Sequence, residues 1–480
     1  MSRGKNQVVI VHGWSDTSDS FRPLASYLTG QGFQTVNLFL GDYISMADDV
    51  TIDDAAKAME CAVRAQMQAG HLNVPFDLIV HSTGGLVSRT WLSSYYTGVT
   101  PPVQRLVMLA PANFGSALAT VGQTILGRVV NGWAHGFHTG KQMLNALELG
   151  SPFQWHLALR DLFGQGQERE GTIYGEDLVW PFVLVGSMAY QHGLRQMVNE
   201  HGGDGTVRVA AANLNAYGAT LDFTQQGAPT VLGMTASNSK AAVAQGAFIP
   251  WTHRYDEAMD FPLGVMNHRD HASITDPSIK GDNESDAEQQ LFQQYLLSAL
   301  SCDTYANYQT VAQNWRAHSD QVQDPQADID DDHHLHMQLN VFVVDEYQDP
   351  VADYMIEFLA PNYEQTTDLT GVFHDKVIED VHKCEQNAAL RTIFIGRQHL
   401  FELFYAAIPG GQPKELRLSI SASAPGDNVH YYSEAYGAEG EFIIHSEEDA
   451  SRWLRRNATH FLKIVIPRQP SDNVFTLKNP

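Results

Sequence analysis

The chain has 480 residues, of which 55 are acidic and 30 are basic, so its formal net charge at pH 7 is −25. This charge argues against a nucleic-acid-binding protein and against purely electrostatic docking on anionic lipid, because no basic surface is available to neutralise phosphates. The three cysteines are odd in number and far apart, which indicates free thiols in a reducing compartment and no disulfide framework or zinc site.

Length and hydropathy also limit the membrane relations of the chain. A chain of 480 residues predicts two or three domains. The segment 1–6 is short and polar, unlike a signal peptide, and no run of ~20 apolar residues occurs. We therefore expect neither a signal peptide nor a transmembrane helix, and only peripheral membrane contact.

The first half of the chain alternates apolar, β-branched runs with amphipathic runs. Helices are predicted at 21–28 and 52–70. Strands are predicted at 7–11, 33–40, 77–81, 105–110, 181–188 and 261–266. This alternation is typical of an α/β fold, with a mostly parallel sheet covered by helices on both faces.

A helical insertion over about 116–177 interrupts this alternation. Its apolar residues recur at helical spacing and comprise Ile125, Leu126, Val129, Val130 and Trp133. Such a stripe is expected both from a helix packed over the sheet and from a helix in contact with lipid, and the pattern does not separate the two.

The last third of the chain has a different composition. A helical region at 284–317, broken near 302–304, precedes an acidic segment at 320–336 that we interpret as a linker, with metal binding by Asp330 to His334 as the alternative. Beyond it a short helix is predicted at 447–455, and the strands at 335–343, 354–359, 390–395, 400–407, 416–423, 441–444 and 461–466. The chain is thus predicted to contain an α/β domain at 1–320 and a β-rich C-terminal domain at 333–480, built as a β-sandwich or twisted sheets.

The segment 77–85 has the pattern of a nucleophile elbow. A buried strand ends at His81, Ser82 follows, and the glycines Gly84 and Gly85 begin an amphipathic helix. The usual pattern is Gly-x-Ser-x-Gly, and here Val80 occupies the position of the first glycine. Ser82 is the predicted nucleophile; the alternative is a turn serine that caps the helix.

A serine nucleophile needs a base and an acid that orients the base. In α/β hydrolases both follow the serine, in the order acid, then histidine. Asp204, in a glycine-rich loop after a predicted strand, is the candidate acid, with a structural turn aspartate as the alternative. His271 follows the last predicted strand and is the favoured base, with His268 as its rival and His253 as a weaker one.

An oxyanion hole is the third requirement. One donor in this fold is the backbone N–H just after the nucleophile, which belongs here to Thr83. His12-Gly13-Trp14 follows the first strand and matches a lipase-like His-Gly-x pattern, so the second donor is predicted to be the backbone N–H of Trp14. This chemistry requires no cofactor and no metal.

Three motifs of this sequence resemble the PlaB-type bacterial phospholipases A. His81-Ser82-Thr83-Gly84 resembles their elbow, 202–208 resembles their aspartate motif, and 271–274 resembles their histidine motif. The order of a hydrolase domain followed by a β-rich domain, without a signal peptide, is also similar. The resemblance assigns Ser82 as nucleophile, Asp204 as acid and His271 as base.

The resemblance implies a phospholipase A and lysophospholipase A that acts on phospholipids and lysophospholipids. It further implies association with a bacterial membrane, at its cytoplasmic face or in the cell envelope, assembly into a homo-oligomer (dimer or tetramer), and a role in virulence. The same triad would also serve a neutral-lipid lipase or carboxylesterase. A reading of another class is a membrane- or partner-binding protein on an inactive hydrolase scaffold.

Overall fold

The computed structural model of the chain describes residues 6–14, 18–37, 47–119, 140–164, 172–191, 199–224, 244–245, 247–251, 260–322, 335–360, 368–412, 414–431, 440–445 and 454–478. Several predicted features lie outside these residues. They are the apolar stripe at 125–133, His253, the aspartates and histidines at 330–334, and most of the helix predicted at 447–455.

The strands, in chain order, are β1 (Gln7–Val11), β2 (Gln34–Asn37), β3 (Phe76–His81), β4 (Val103–Leu109), β5 (Trp180–Gly186), β6 (Tyr217–Asp222), β7 (Ala244–Gln245), β8 (Ala247–Pro250), β9 (Leu263–Met266), β10 (His336–Asp345), β11 (Tyr354–Leu359), β12 (Ile378–Lys383), β13 (Leu390–Gly396), β14 (Glu415–Ala422), β15 (Val429–His430), β16 (Gly440–His445), β17 (Thr459–Ile466) and β18 (Gln469–Pro470). The α-helices are α1 (Arg22–Gly30), α2 (Ile52–Gln68), α3 (Gly84–Tyr95), α4 (Lys141–Leu147), α5 (Pro152–Asp161), α6 (Val209–Ala212), α7 (Asp286–Ser301), α8 (Tyr305–Val322), α9 (Leu369–Val372) and α10 (Arg397–His399). Shorter helical turns occupy Ser18–Phe21, Ala117–Ala119, Ser273–Thr275, Phe373–Val377, Leu400–Phe404 and Tyr405–Ala407.

The chain folds into two compact units. The first comprises Met1–Ala216 and Glu257–Leu335, and the second comprises Tyr217–Asp256 and His336–Pro480. The predicted boundaries, 1–320 and 333–480, therefore need a correction, because residues 217–256 belong to the second unit. The physical reason is strand pairing: β6 runs parallel to β17, with Tyr217 opposite His460.

The first unit is built on a six-stranded sheet in the order β2-β1-β3-β4-β5-β9. All its strand pairs are parallel, and every residue of β3, β4 and β5 is buried. Strands buried on both faces read as continuous apolar runs, which is why the sequence predicts them well. The predicted parallel sheet is confirmed, and its carboxyl edge is where such folds place their sites.

Helix boundaries in the first unit follow local capping. Thr51 and Asp54 form a capping box at the start of α2, and Ser285 and Glu288 form another at the start of α7. Each box satisfies backbone N–H groups that the first helical turn leaves free.

The predicted break near 302–304 is confirmed, since α7 ends at Ser301 and α8 begins at Tyr305. Helix α8 continues to Val322, so residues 320–322 of the predicted linker are helical.

The second unit is rich in β-structure, as predicted. Its larger sheet has the order β12-β13-β10-β17-β6-β8, its smaller sheet has the order β11-β14-β16-β7, and β15 pairs with β18. The strand predicted at 400–407 is wrong, because this segment is helical. Its buried residues Leu400, Phe404 and Tyr405 have helical spacing rather than the alternation of a strand.

Asp345 is a buried carboxylate at the end of β10. It accepts hydrogen bonds from Arg468 Nη1 (3.0 Å), the Tyr431 hydroxyl (3.1 Å) and the backbone N–H groups of Tyr347 (2.9 Å) and Asp349 (3.0 Å). Burial raises the pKa of Asp345, but these hydrogen bonds outweigh it and hold the pKa below its usual value. The charged form of Asp345 therefore stabilises the fold.

We expect Arg468→Met to lower the free energy of unfolding at pH 7 by about 1–3 kcal/mol, because it removes the charged donor to a buried carboxylate. The stabilisation by Asp345 is present above its ordinary pKa of 3.8 and is lost as the pH falls through its lowered folded-state pKa. Urea titrations at pH 7 and pH 3 should thus show a smaller difference from wild type at pH 3. Lys376→Met, which removes an exposed pairing with Asp375, is the control and should cost less than about 0.5 kcal/mol.

Within the described residues, no helix combines the length and the apolar character needed to cross a membrane.

Candidate active site

Ser82 lies in a strained turn between β3 and α3. Its φ of 52° is in the left-handed region, which non-glycine residues rarely adopt. The turn is held by hydrogen bonds from Ser82 N to Leu109 O (3.1 Å) and from Gly85 N to Ser82 O (3.0 Å). A serine in such a strand–turn–helix junction is the geometry of a nucleophile elbow.

The space around the elbow explains why it tolerates Val80. A Cβ on Gly84 would lie 3.0 Å from His12 O and 3.5 Å from Val80 Cβ, so the missing side chain of Gly84 lets α3 approach the strands. Val80 is completely buried. The helix therefore fits beside the valine because the second glycine of the pattern is retained.

Asp204 and His271 are brought together. Oδ2 of Asp204 lies 2.8 Å from His271 Nδ1, and the backbone N–H of His271 donates to Asp204 O at 3.0 Å. Oδ1 of Asp204 accepts from the backbone N–H groups of Thr206 (3.0 Å) and Val207 (2.7 Å). Since Asp204 only accepts when ionised, the proton of neutral His271 lies on Nδ1 and Nε2 keeps its lone pair. This tautomer suits a general base.

The Asp204 loop depends on Gly203. A Cβ on Gly203 would lie 2.1 Å from Val207 O and 2.6 Å from Arg208 Cα. We expect Gly203→Ala to destabilise the protein by about 2–4 kcal/mol through overpacking and to reduce ester hydrolysis with it. Thermal unfolding measures the first effect. Gly30→Ala is the matched control, because a Cβ there meets no atom within 4 Å and should leave both quantities close to wild type.

His268, the rival base, has a different partner. Its Nδ1 lies 3.1 Å from Glu288 Oε1, which also accepts from Asn267 Nδ2 at 2.8 Å. Burial raises the pKa of Glu288, but hydrogen bonds, chiefly from Ser285, outweigh it and lower the pKa to about 2. Asp204 is thus paired with His271, and His268 with the first turn of α7.

Arg269 organises the loop that carries His271, and sequence reasoning missed it. This fully buried guanidinium donates to both carboxylate oxygens of Glu284 (2.7 and 2.8 Å) and to Ser273 O (2.6 Å). It also lies 4.1 Å from the centroid of the Phe292 ring. A bidentate pair of this kind fixes geometry as well as charge. No sequence motif predicts this pairing, because Glu284 lies 15 residues after Arg269.

Thr83 and the loop that precedes Trp14 lie next to Ser82. Thr83 follows Ser82 directly, and a Cβ on Gly13 would lie 2.8 Å from Ser82 Cβ, which places the loop carrying Trp14 against the nucleophile. Near Ser82, the buried side-chain atoms His12 Nε2, Trp14 Nε1 and Thr83 Oγ1 make no hydrogen bond within the described residues. The neighbourhood of Ser82 therefore has polar atoms available to a ligand.

Metal ligands are not grouped in the parts of the chain that the structure describes. No cluster of three or more His, Cys, Asp and Glu side chains there is arranged to hold an ion.

The comparisons with known proteins assign the chain to a family. The sequence profile of the alpha/beta hydrolase fold matches residues 6–338. The chain belongs to this family. Among solved structures, phospholipase PlaB from Legionella pneumophila is similar with a TM-score of 0.75 and 23% identity, over 99% of this chain and 96% of that chain.

Two further structures complete the comparison. PlaB in complex with thio-NAD aligns with a TM-score of 0.75 and 23% identity, over 98% of this hydrolase and 96% of PlaB. Lipase BlEst2 from Bacillus licheniformis aligns with a TM-score of 0.35 and 18% identity, over 57% of this hydrolase and 87% of the lipase. No curated protein sequence matches this hydrolase significantly.

Proposed function

We propose that this alpha/beta hydrolase cleaves fatty-acyl esters of glycerophospholipids and lysophospholipids, with Ser82 as nucleophile, His271 as base and Asp204 as the acid that orients it. Two observations carry the proposal: Asp204 pairs with His271, and the ring of His271 lies 4.7 Å from that of His81, the residue before the strained Ser82. Its substrate class is supported by the three sequence motifs and by the likeness to PlaB over nearly the whole chain.

The proposed reaction follows from these positions. His271 Nε2 takes the proton of Ser82 as Oγ attacks the ester carbonyl, and the backbone N–H groups of Thr83 and Trp14 stabilise the oxyanion. Collapse of this intermediate breaks the acyl–oxygen bond, and His271 returns the proton to the departing alcohol. Water, deprotonated by His271, then attacks the acyl-enzyme; as the bond to Ser82 Oγ breaks, His271 returns the proton to Oγ and the fatty acid is released. Asp204 holds His271 in the required tautomer and stabilises its charged form.

A lipid panel tests the substrate class. We expect fatty-acid release from phosphatidylcholine and lysophosphatidylcholine vesicles to exceed release from triglyceride emulsions and short soluble esters. Preference for triglyceride or for short esters would instead favour a neutral-lipid lipase or a carboxylesterase. Absence of hydrolysis on the whole panel, together with no labelling by a fluorophosphonate, would contradict the proposal and favour an inactive hydrolase scaffold.

We also propose peripheral membrane contact, at the cytoplasmic face or in the bacterial cell envelope, and assembly into a dimer or tetramer. The motif resemblance supports both the membrane contact and the assembly. The proposed reaction uses no cofactor. Co-sedimentation with phosphatidylcholine vesicles and light scattering of the full chain test them separately. A monomer that remains in the supernatant would contradict both proposals.

A further inference from the structure

His81, the last residue of β3, has a buried side chain that the reaction above does not use. Its Nε2 lies 3.0 Å from the backbone carbonyl oxygen of His271. Its ring centroid lies 4.7 Å from that of His271 and 5.7 Å from that of Phe21. The side chain therefore touches the proposed base directly, through both a hydrogen bond and a ring contact.

His271 is held at three polar atoms. Asp204 binds two of them, the backbone N–H through its carbonyl oxygen (3.0 Å) and Nδ1 through its carboxylate (2.8 Å). His81 binds the third, the backbone carbonyl. Because a carbonyl oxygen only accepts, His81 Nε2 carries the hydrogen. The fourth atom, Nε2 of His271, is the one that the proposed reaction needs.

We infer that His81 is a positioning residue, which fixes the position of His271 relative to Ser82. This inference rests on the proposed function. His81 and Ser82 are consecutive in the chain, so a displacement of the strand end moves the nucleophile and the anchor of the base together. A Cβ on Gly13 would lie 3.5 Å from His81 Nδ1, so the anchor also lies next to the loop of the second oxyanion donor.

The hydrogen bond affects the rate through geometry. Without a donor, the carbonyl of His271, a residue only 8% exposed, loses its partner, and the loop is free to relax. A displacement of about 1 Å at a reacting group can lower the rate by about 100-fold. Since His81 is not proposed to contact substrate, removal of its hydrogen bond should lower kcat and leave KM nearly unchanged.

Three variants separate the hydrogen bond from the packing of the ring. His81→Phe keeps a ring without a donor, His81→Asn has an amide too short to reach the carbonyl, and His81→Gln extends an amide N–H about as far as Nε2. With a soluble p-nitrophenyl ester we expect kcat to fall by about 10–100-fold in His81→Phe and His81→Asn, with KM within about 3-fold. We expect His81→Gln to recover kcat to within about 5-fold of wild type. The rate of fluorophosphonate labelling of Ser82 should follow kcat.

Two results would overturn the inference: wild-type kcat in His81→Phe, or equal losses in folded His81→Gln and His81→Asn. Thermal unfolding identifies the variants that fold, and the pair of amide variants decides the question if His81→Phe does not. Phe21→Leu is the matched control, because Phe21 contacts the same ring without a hydrogen bond and should change kcat by less than about 3-fold. A fully active Ser82→Ala variant would refute the proposed function itself, whereas an inactive one beside an unaffected His81→Phe would refute this inference alone.

Discussion

Replacing Ser82 with alanine is expected to lower fatty-acid release by at least about 10⁴-fold without unfolding the protein. The proposed reaction has no other nucleophile, so only the oxyanion donors and substrate binding would remain. Alanine tolerates the φ of 52° no worse than serine, and the turn is held by the backbone of residue 82. Fatty-acid release from lysophosphatidylcholine measures activity, and peptide mapping after fluorophosphonate treatment should locate the label on Ser82.

Ser88 offers a matched control for this substitution. It is a completely buried serine on α3, the helix that follows the Ser82 turn, and its hydroxyl donates to Gly84 O at 2.8 Å. Loss of this bond in Ser88→Ala should cost about 1 kcal/mol of stability and leave activity within about 3-fold of wild type. Activity or labelling that persists in Ser82→Ala would show that another residue is the nucleophile.

The two histidines of the loop after β9 should differ by several orders of magnitude in their effect on kcat. We expect His271→Gln to lower kcat by about 10⁴-fold or more, because an amide cannot take the proton of Ser82. His268→Gln keeps a hydrogen-bonding group near Glu288 and should stay within about 5-fold of wild type. Steady-state kinetics on one soluble ester, with thermal unfolding of both variants, gives the comparison.

The opposite ranking would show that the pairing of Asp204 with His271 is structural and that His268 is the base. Comparable large losses in two folded variants would mean that the contact of His268 with Glu288 also shapes the site. Asp270→Asn is a suitable reference for the loop. An asparagine there still accepts the backbone hydrogen bonds of Ala272 and Ser273, so it should retain activity within about 3-fold.

Much of the first unit follows from sequence because its signals are local. Strand β1 has the predicted bounds, and β3 to β5 are apolar runs long enough to identify as buried strands. The positions of Ser82, Asp204 and His271 could be predicted because each lies in a short motif after a strand, and parallel strands bring their carboxyl ends to one edge. Chain order therefore indicated that Asp204 meets a histidine after β9, and the structure shows that this histidine is His271.

What sequence reasoning missed depends on distant contacts or on ambiguous periodicity. His81 lies inside the elbow motif, yet nothing local shows that its side chain reaches the carbonyl of His271. No sequence motif predicts the ion pair between Arg269 and Glu284 either. The apolar run at 400–407 is compatible with both a buried strand and a helical turn. In the structure this segment is helical. The place of Tyr217–Asp222 in the second unit depends on a partner strand near the C-terminus.

The interleaving of the two units affects how this protein can be made and divided. Between Asp204 and His271 the chain leaves the first unit and contributes β6 to a sheet whose neighbouring strand, β17, is synthesised almost last. On a ribosome, β6 must therefore remain unpaired with β17 until translation is nearly complete. A cut near residue 320 would not isolate the first unit, because it would leave β6 and β8 without the rest of their sheet. An exposed strand edge of this kind favours aggregation, so a loss of activity on truncation would not by itself assign a role to the C-terminal residues.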